Sequence, residues 1–105
     1  MVHSVFLPSL EQLYLQGNLL QNIPTDGFDG MCSVQKLDIS FNNIDTLESL
    51  DGIRNCLHHL TSLHALDNPV AQLDEFVVRM VSYSPWLKEC NGVCASFVCV
   101  FQTLL

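Results

Sequence analysis

Asp38 and His64 are the two side chains in this sequence best suited to pass a proton between them, a carboxylate and an imidazole. Both stand at the middle outward position of a recurring apolar pattern, which makes them candidate neighbours on one surface. Catalysis would also need a nucleophile or a polarising group in a pocket beside them, and no motif of that kind accompanies either residue. The other reactive types are no better organised. His58 and His59 are adjacent, lack an H-E-x-x-H pattern, and read as surface residues of a turn. The five cysteines, Cys32, Cys56, Cys90, Cys94 and Cys99, are odd in number and show no short metal-knuckle spacing. They read as reduced thiols, mostly packed as small apolar groups, which points to an intracellular compartment. The expectation is a chain that is not an enzyme and binds no cofactor or metal.

Composition narrows the choice further. The chain has 105 residues, 49% of them apolar, enough for one small domain and too apolar for a disordered segment. Eleven acidic against four basic residues leave a net charge of −7. Binding to nucleic-acid phosphates or anionic lipid needs clustered Lys and Arg, so neither partner is expected. No basic stretch followed by an apolar run opens the sequence, so no signal peptide is expected. The apolar run from Val93 to Leu105 is too short to span a bilayer.

The elements that would position Asp38 and His64 come from an internal repeat. LEQLYLQGNLLQNI from Leu10, VQKLDISFNNIDTL from Val34 and LTSLHALDNPV from Leu60 share one pattern, L-x-x-L-x-L-x-x-N-x-L. Asn18, Asn42 and Asn68 fall 24 and then 26 residues apart. In each L-x-L the alternation of a strand sends two apolar side chains inward and the residue between them outward. The asparagine carries a donor and an acceptor, which suits bridging backbone groups where the strand turns away. Between strands, Ile23, Phe28 and Met31 in one gap, and Leu47, Leu50, Ile53 and Leu57 in the other, supply a second apolar face. One such unit cannot bury its own core, so neighbours must stack. At Ala65 the core is thinner; Leu66 either makes up for it or stands exposed.

Beyond Asn68 the pattern changes. Leu73, Phe76, Val77, Met80 and Val81 form one stripe of a helix, with Asp74 and Glu75 in its first turn. Ser84-Pro85 ends it, because a residue before proline avoids helical backbone. Trp86 is expected to pack against this helix, and Cys90, Asn91 and Gly92 to form a turn.

These motifs resemble the leucine-rich repeat family over residues 7–93. The first unit, with IPTDGFDGM, looks like its common 24-residue class, and the second, with its threefold spacing, looks nearer the intracellular class. The run from Asn68 to Gly92 is similar to the C-terminal cap of intracellular members such as phosphatase-1 regulators, the spliceosomal A-prime protein, tubulin-folding cofactors and ciliary or axonemal scaffolds. The resemblance implies an α/β solenoid: three short parallel strands, irregular, 3₁₀ or helical convex segments, and a capping helix. It divides the chain into an array over 1–93, with its cap at 69–93, and an apolar tail over 94–105. That tail is either an appendage or folds back on the sheet or the cap. No matching N-terminal cap is recognised, so the chain reads as the last part of a longer array.

The resemblance also implies a protein-binding surface on the concave face. Its candidate residues are Gln12, Tyr14 and Gln16; Lys36, Asp38 and Ser40; and Ser62, His64 and Leu66. Tyr14, Asp38 and His64 would form one column across the strands, an aromatic to anchor a partner and a charge to select it. The expected role is an intracellular scaffold or adaptor, cytoplasmic or at the cilium or cytoskeleton, that meets its protein partner together with further N-terminal repeats. A regulatory or targeting domain of a larger phosphatase, kinase or ligase complex is the alternative. An extracellular receptor repeat, suggested by IPTDGF alone, would call for a disulfide-rich flank and glycosylation sequons, and the sequence has no N-x-S/T.

Overall fold

Five short strands lie side by side in one sheet, in the order of the chain. The structure is a computed structural model and describes residues 9–95. Strands β1 (Gln12–Tyr14), β2 (Lys36–Asp38), β3 (Ser62–His64) and β4 (Glu89–Cys90) are parallel, and β5 (Val93–Cys94) returns antiparallel to β4. The pairing is in register: Leu13, Leu37 and Leu63 face one another across neighbouring strands, and Cys90 takes the next place. The three repeat strands expected from the sequence are therefore present, and the cap adds two more.

Backbone groups at the strand ends are satisfied across repeats as well as within them. Asn42 accepts the N–H groups of Asn18 and Leu20 at Oδ1 and donates from Nδ2 to the carbonyls of Leu15 and Ile39. Asn68 repeats the arrangement one step on, accepting from Ile44 N–H and donating to Ile39 and Ala65. Both asparagines are buried, where an unpaired backbone group would be costly. Asn18, in the first repeat, is exposed and donates from its side chain to the carbonyl of Gln16.

The convex side follows the two classes of spacing. After β1 the chain passes through turns in which Ile23 and Phe28 are buried. After β2, a 3₁₀ turn (Glu48–Leu50) runs into helix α1 (Asp51–Cys56), because Leu47, Leu50, Ile53 and Leu57 fall on one face and all are buried. Gly52 sits where this helix meets the preceding convex turn. Its N–H donates to the carbonyl of Ile23, and a Cβ there would stand 2.5 Å from the carbonyl oxygen of Pro24. Glycine is what permits so close an approach.

The capping helix α2 runs from Phe76 to Tyr83 and buries Phe76, Met80 and Val81. It begins one turn later than its apolar stripe suggests. Pro69 opens a short 3₁₀ helix (Pro69–Gln72), and the extended backbone of Leu73 (ψ 136) breaks the path before α2 starts. Leu73 is consequently exposed, and Asp74 and Glu75 precede the helix, with Glu75 pairing forward with Arg79 at 3.3 Å. The end is as expected: Ser84 leaves the helical region before Pro85, and its hydroxyl donates to the carbonyl of Leu57.

Cys90, Asn91 and Gly92 do more than turn. Cys90 is a strand residue in the core, and Asn91 (φ 55) and Gly92 (φ 81) form the two-residue bend of a β-hairpin. Positive φ at both central positions suits Asn-Gly. Strand β5 crosses the boundary drawn at residue 93, and Ala95 after it is buried. The rest of the tail lies outside the described residues.

Candidate functional site

Strand alternation and register bring the predicted concave residues onto one surface. Gln12, Lys36 and Ser62 form one row across the sheet, and Tyr14, Asp38 and His64 form the next. Gln16, Ser40 and Leu66 follow where the strands end. Gln12, Tyr14, Gln16, Lys36 and Leu66 are exposed, and Asp38, Ser62 and His64 are half-buried. Ser40 departs from the expectation. It is buried, and its hydroxyl oxygen accepts the N–H of Leu66 across the sheet, so it holds two strand ends together.

The residue that organises this surface is one that the repeat pattern did not supply. Glu89 on β4 pairs in register with Ser62, and its Oε1 accepts hydrogen bonds from Ser62 Oγ and His64 Nε2, both at 2.9 Å. These bonds, that of His64 above all, hold the Glu89 carboxyl below its ordinary range. Two sequence signals mark this strand. Leu87-x-x-Cys90 repeats the apolar spacing of Leu60-x-x-Leu63, and Asn91-Gly92 is a hairpin turn.

His64 therefore hydrogen-bonds to Glu89 and not to Asp38, and the acid–base pair suggested by the sequence does not form. Asp38 instead accepts the N–H of Ser40 at 2.9 Å, which fixes its carboxylate at the strand end. Tyr14 donates its hydroxyl proton to Gln12. Together Tyr14, Lys36, Asp38, Ser62, His64 and Glu89 line a shallow open depression of about 80 Å³. Such a site can receive a side chain of a partner. It encloses no substrate-sized volume, and the Ser62 hydroxyl donates to Glu89 and not to the His64 imidazole.

None of the described cysteines lines this depression, and they are not uniformly packed as the sequence suggests: Cys32 and Cys94 are exposed, Cys94 opposite Glu89 in the hairpin. Cys90 is buried beneath the concave face, and burial pushes its thiol up to about 12, which keeps it neutral and unreactive. Burial also raises Cys56, which donates to the Asp29 carboxylate. Among the described residues no three His, Cys, Asp or Glu side chains come together as metal ligands, and no helix is long and apolar enough to cross a membrane. His58 and His59 are exposed, as expected of a convex turn. Trp86 is not packed on the capping helix. It is 69% exposed, because the chain leaves α2 through Ser84-Pro85 and it is Leu87 that turns into the core. It lines a groove of about 570 Å³ along the strand starts, with Cys32, His59 and Lys88.

The comparisons with known proteins agree with this architecture. No curated protein matches the sequence. Among solved structures, the chain is similar to the Mex67 LRR domain from Chaetomium thermophilum, with a TM-score of 0.71 and 21% identity over 80% of this chain and 57% of that one. It is similar in the same measure to the Chaetomium Mex67:Mtr2 subunits, with a TM-score of 0.71 and 21% identity over 81% of this chain and 55% of that one. The chain thus spans little more than half the length of these structures, and at this identity the likeness is one of fold. A family model, Leucine rich repeat, matches residues 8–69, which takes in all three asparagine positions. With the repeat pattern, the in-register parallel strands and this match agreeing, the chain belongs to the leucine-rich repeat family.

Proposed function

We propose that this chain is a protein-interaction module that receives its partner on the concave face, around the column of Tyr14, Asp38 and His64. The observation that carries the reading is the in-register row of aromatic, carboxylate and imidazole, with His64 and Ser62 tied to Glu89. Held side chains lose little freedom when a partner binds, so their contacts contribute more to affinity. The charge distribution supports a protein partner over nucleic acid. The four cations are dispersed, and Arg54 and Arg79 lie on the convex side near Asp51 and Glu75.

The role we favour is a scaffold or adaptor within an assembly, in the cytoplasm, at the cilium or on the cytoskeleton. It is supported by the likeness of the cap to intracellular repeat proteins, and by the structural likeness to Mex67, which is described together with Mtr2 as subunits. A regulatory domain of a larger enzyme complex would use the same face. The test is affinity capture from cytoplasm with the wild type and with Tyr14→Ala/Asp38→Ala. The double variant is expected to lose specific partners while keeping the wild-type circular dichroism spectrum. An unchanged set of partners would overturn the assignment of the concave face.

A further inference from the structure

Asn91-Gly92 is the one place in the sequence where an asparagine is followed by an unhindered backbone nitrogen. The other six asparagines precede Leu19, Ile23, Asn43, Ile44, Cys56 and Pro69, which carry a side chain or, in proline, lack the N–H. Gly92 has an N–H and no side chain, and nothing lies within 4 Å of where its Cβ would stand, so base and water reach the bend. These are the elements of a ring closure. Base takes the proton of the Gly92 nitrogen, which bonds to Asn91 Cγ; the Cγ–Nδ2 bond breaks, and Nδ2 leaves as ammonia with a proton returned to it. Water then opens the five-membered imide at one carbonyl to give aspartate, or at the other to give isoaspartate.

The fold holds this reaction back. Asn91 has φ 55, and in the left-handed well ψ is about +47°. That sets the Gly92 nitrogen on the far side of the Cα–C bond from Cβ, whereas the ring needs both on the same side. Asn91 Oδ1 also accepts the Ala65 N–H at 2.6 Å, and the Asn91 N–H donates to the Leu63 carbonyl at 2.9 Å, so neither side chain nor backbone turns freely. What keeps the bend closed is small. Strand β5 has two residues, both exposed, and beyond it Ala95 is buried with its N–H on the Lys88 carbonyl. Short edge elements of this kind open locally, without global unfolding. We propose that Asn91-Gly92 is a site of covalent ageing by deamidation, closed in the folded hairpin and released when β5 opens. The aspartate product keeps an oxygen for the Ala65 N–H. Isoaspartate runs the main chain through Cβ and Cγ, which adds one atom to a two-residue bend, so the Cys90–Val93 register is lost and Ala95 leaves Lys88.

The test uses the wild-type full chain, held in mildly alkaline buffer with and without denaturing urea. Digestion and mass spectrometry that separates aspartyl from isoaspartyl peptides follow each asparagine. In urea, Asn91 is expected to react before every other asparagine and to give both products. Without urea the same reaction should be about tenfold or more slower, yet faster than the unfolded rate multiplied by the globally unfolded fraction. Equal rates with and without urea would remove the protection and overturn the proposal. So would another asparagine reacting first in urea, or a native rate that matches global unfolding alone. The consequence is read by amide exchange at Ala95, which should be about tenfold or more faster in the purified isoaspartyl form and unchanged in Asn91→Asp. Unchanged exchange in the isoaspartyl form would overturn the loss of register, and equal acceleration in Asn91→Asp would assign it to charge and overturn it too.

Discussion

The first repeat and the third carry the same sequence pattern in different physical situations. In the third, Leu60, Leu63 and Asn68 are buried between β2 and the cap. In the first, Leu10, Leu13 and Leu15 are only partly buried and Asn18 is exposed. The difference teaches that a repeat position has no fixed energetic value. Among the described residues β1 has a strand beside it on one side and β3 on both, and what a leucine or asparagine contributes follows that difference, as expected of a nearly one-dimensional array.

Truncating the equivalent leucines is the most direct way to break that comparison. Leu63→Ala opens a cavity under the middle of the sheet and is expected to cost about 3 kcal/mol, whereas Leu13→Ala, already half open to solvent, should cost about 1 kcal/mol. Urea denaturation of the two variants checks this. Equal losses would mean that the first repeat is as well covered as the third.

The asparagines sharpen the same contrast with polar groups. Asn42→Ala leaves the carbonyls of Leu15 and Ile39 and the N–H groups of Asn18 and Leu20 without their buried partner. Asn18→Ala removes only an exposed bond to Gln16. The expected losses are about 2–3 kcal/mol and under about 0.5 kcal/mol, by thermal or urea unfolding. Because Asn42 bridges two repeats, amide exchange at Leu20 should also accelerate in Asn42→Ala and stay unchanged in Asn68→Ala.

How much of this was legible in the sequence divides along the same line. The strands, their register and the outward column follow from L-x-L alternation and the asparagine spacing, which are local and periodic. The convex helix α1 follows from Leu47, Leu50, Ile53 and Leu57 for the same reason. What escaped depends on single backbone choices at the end of the array. Leu73 adopts an extended conformation that delays α2, Trp86 is turned out where Leu87 is turned in, and a two-residue bend at Asn91-Gly92 makes strands of residues that a repeat consensus treats as a turn. Ser40 shows the remaining gap. Alternation places it on the outer face, but its hydroxyl is taken by the neighbouring strand, which no pattern within one repeat records.

Glu89 joins the capped end to the candidate site, and its titration gives the smallest of the expected effects. Its carboxyl is lowered from the ordinary value of 4.5 by the hydrogen bonds of His64 and Ser62. A carboxyl that is more acidic folded than unfolded contributes stability above the ordinary value, and that contribution is lost as pH falls through the lowered one. Glu89→Gln removes the contribution, so wild type should exceed the variant in urea midpoint at pH 6, and the gap should close towards pH 3. Solvent screening at this exposed position keeps the gap small. His64→Ala in the Glu89→Gln background should add little, since the two share one interaction. A gap that is constant with pH would mean that Glu89 acts through packing and not through its charge. The cap would then support the concave face as a strand alone.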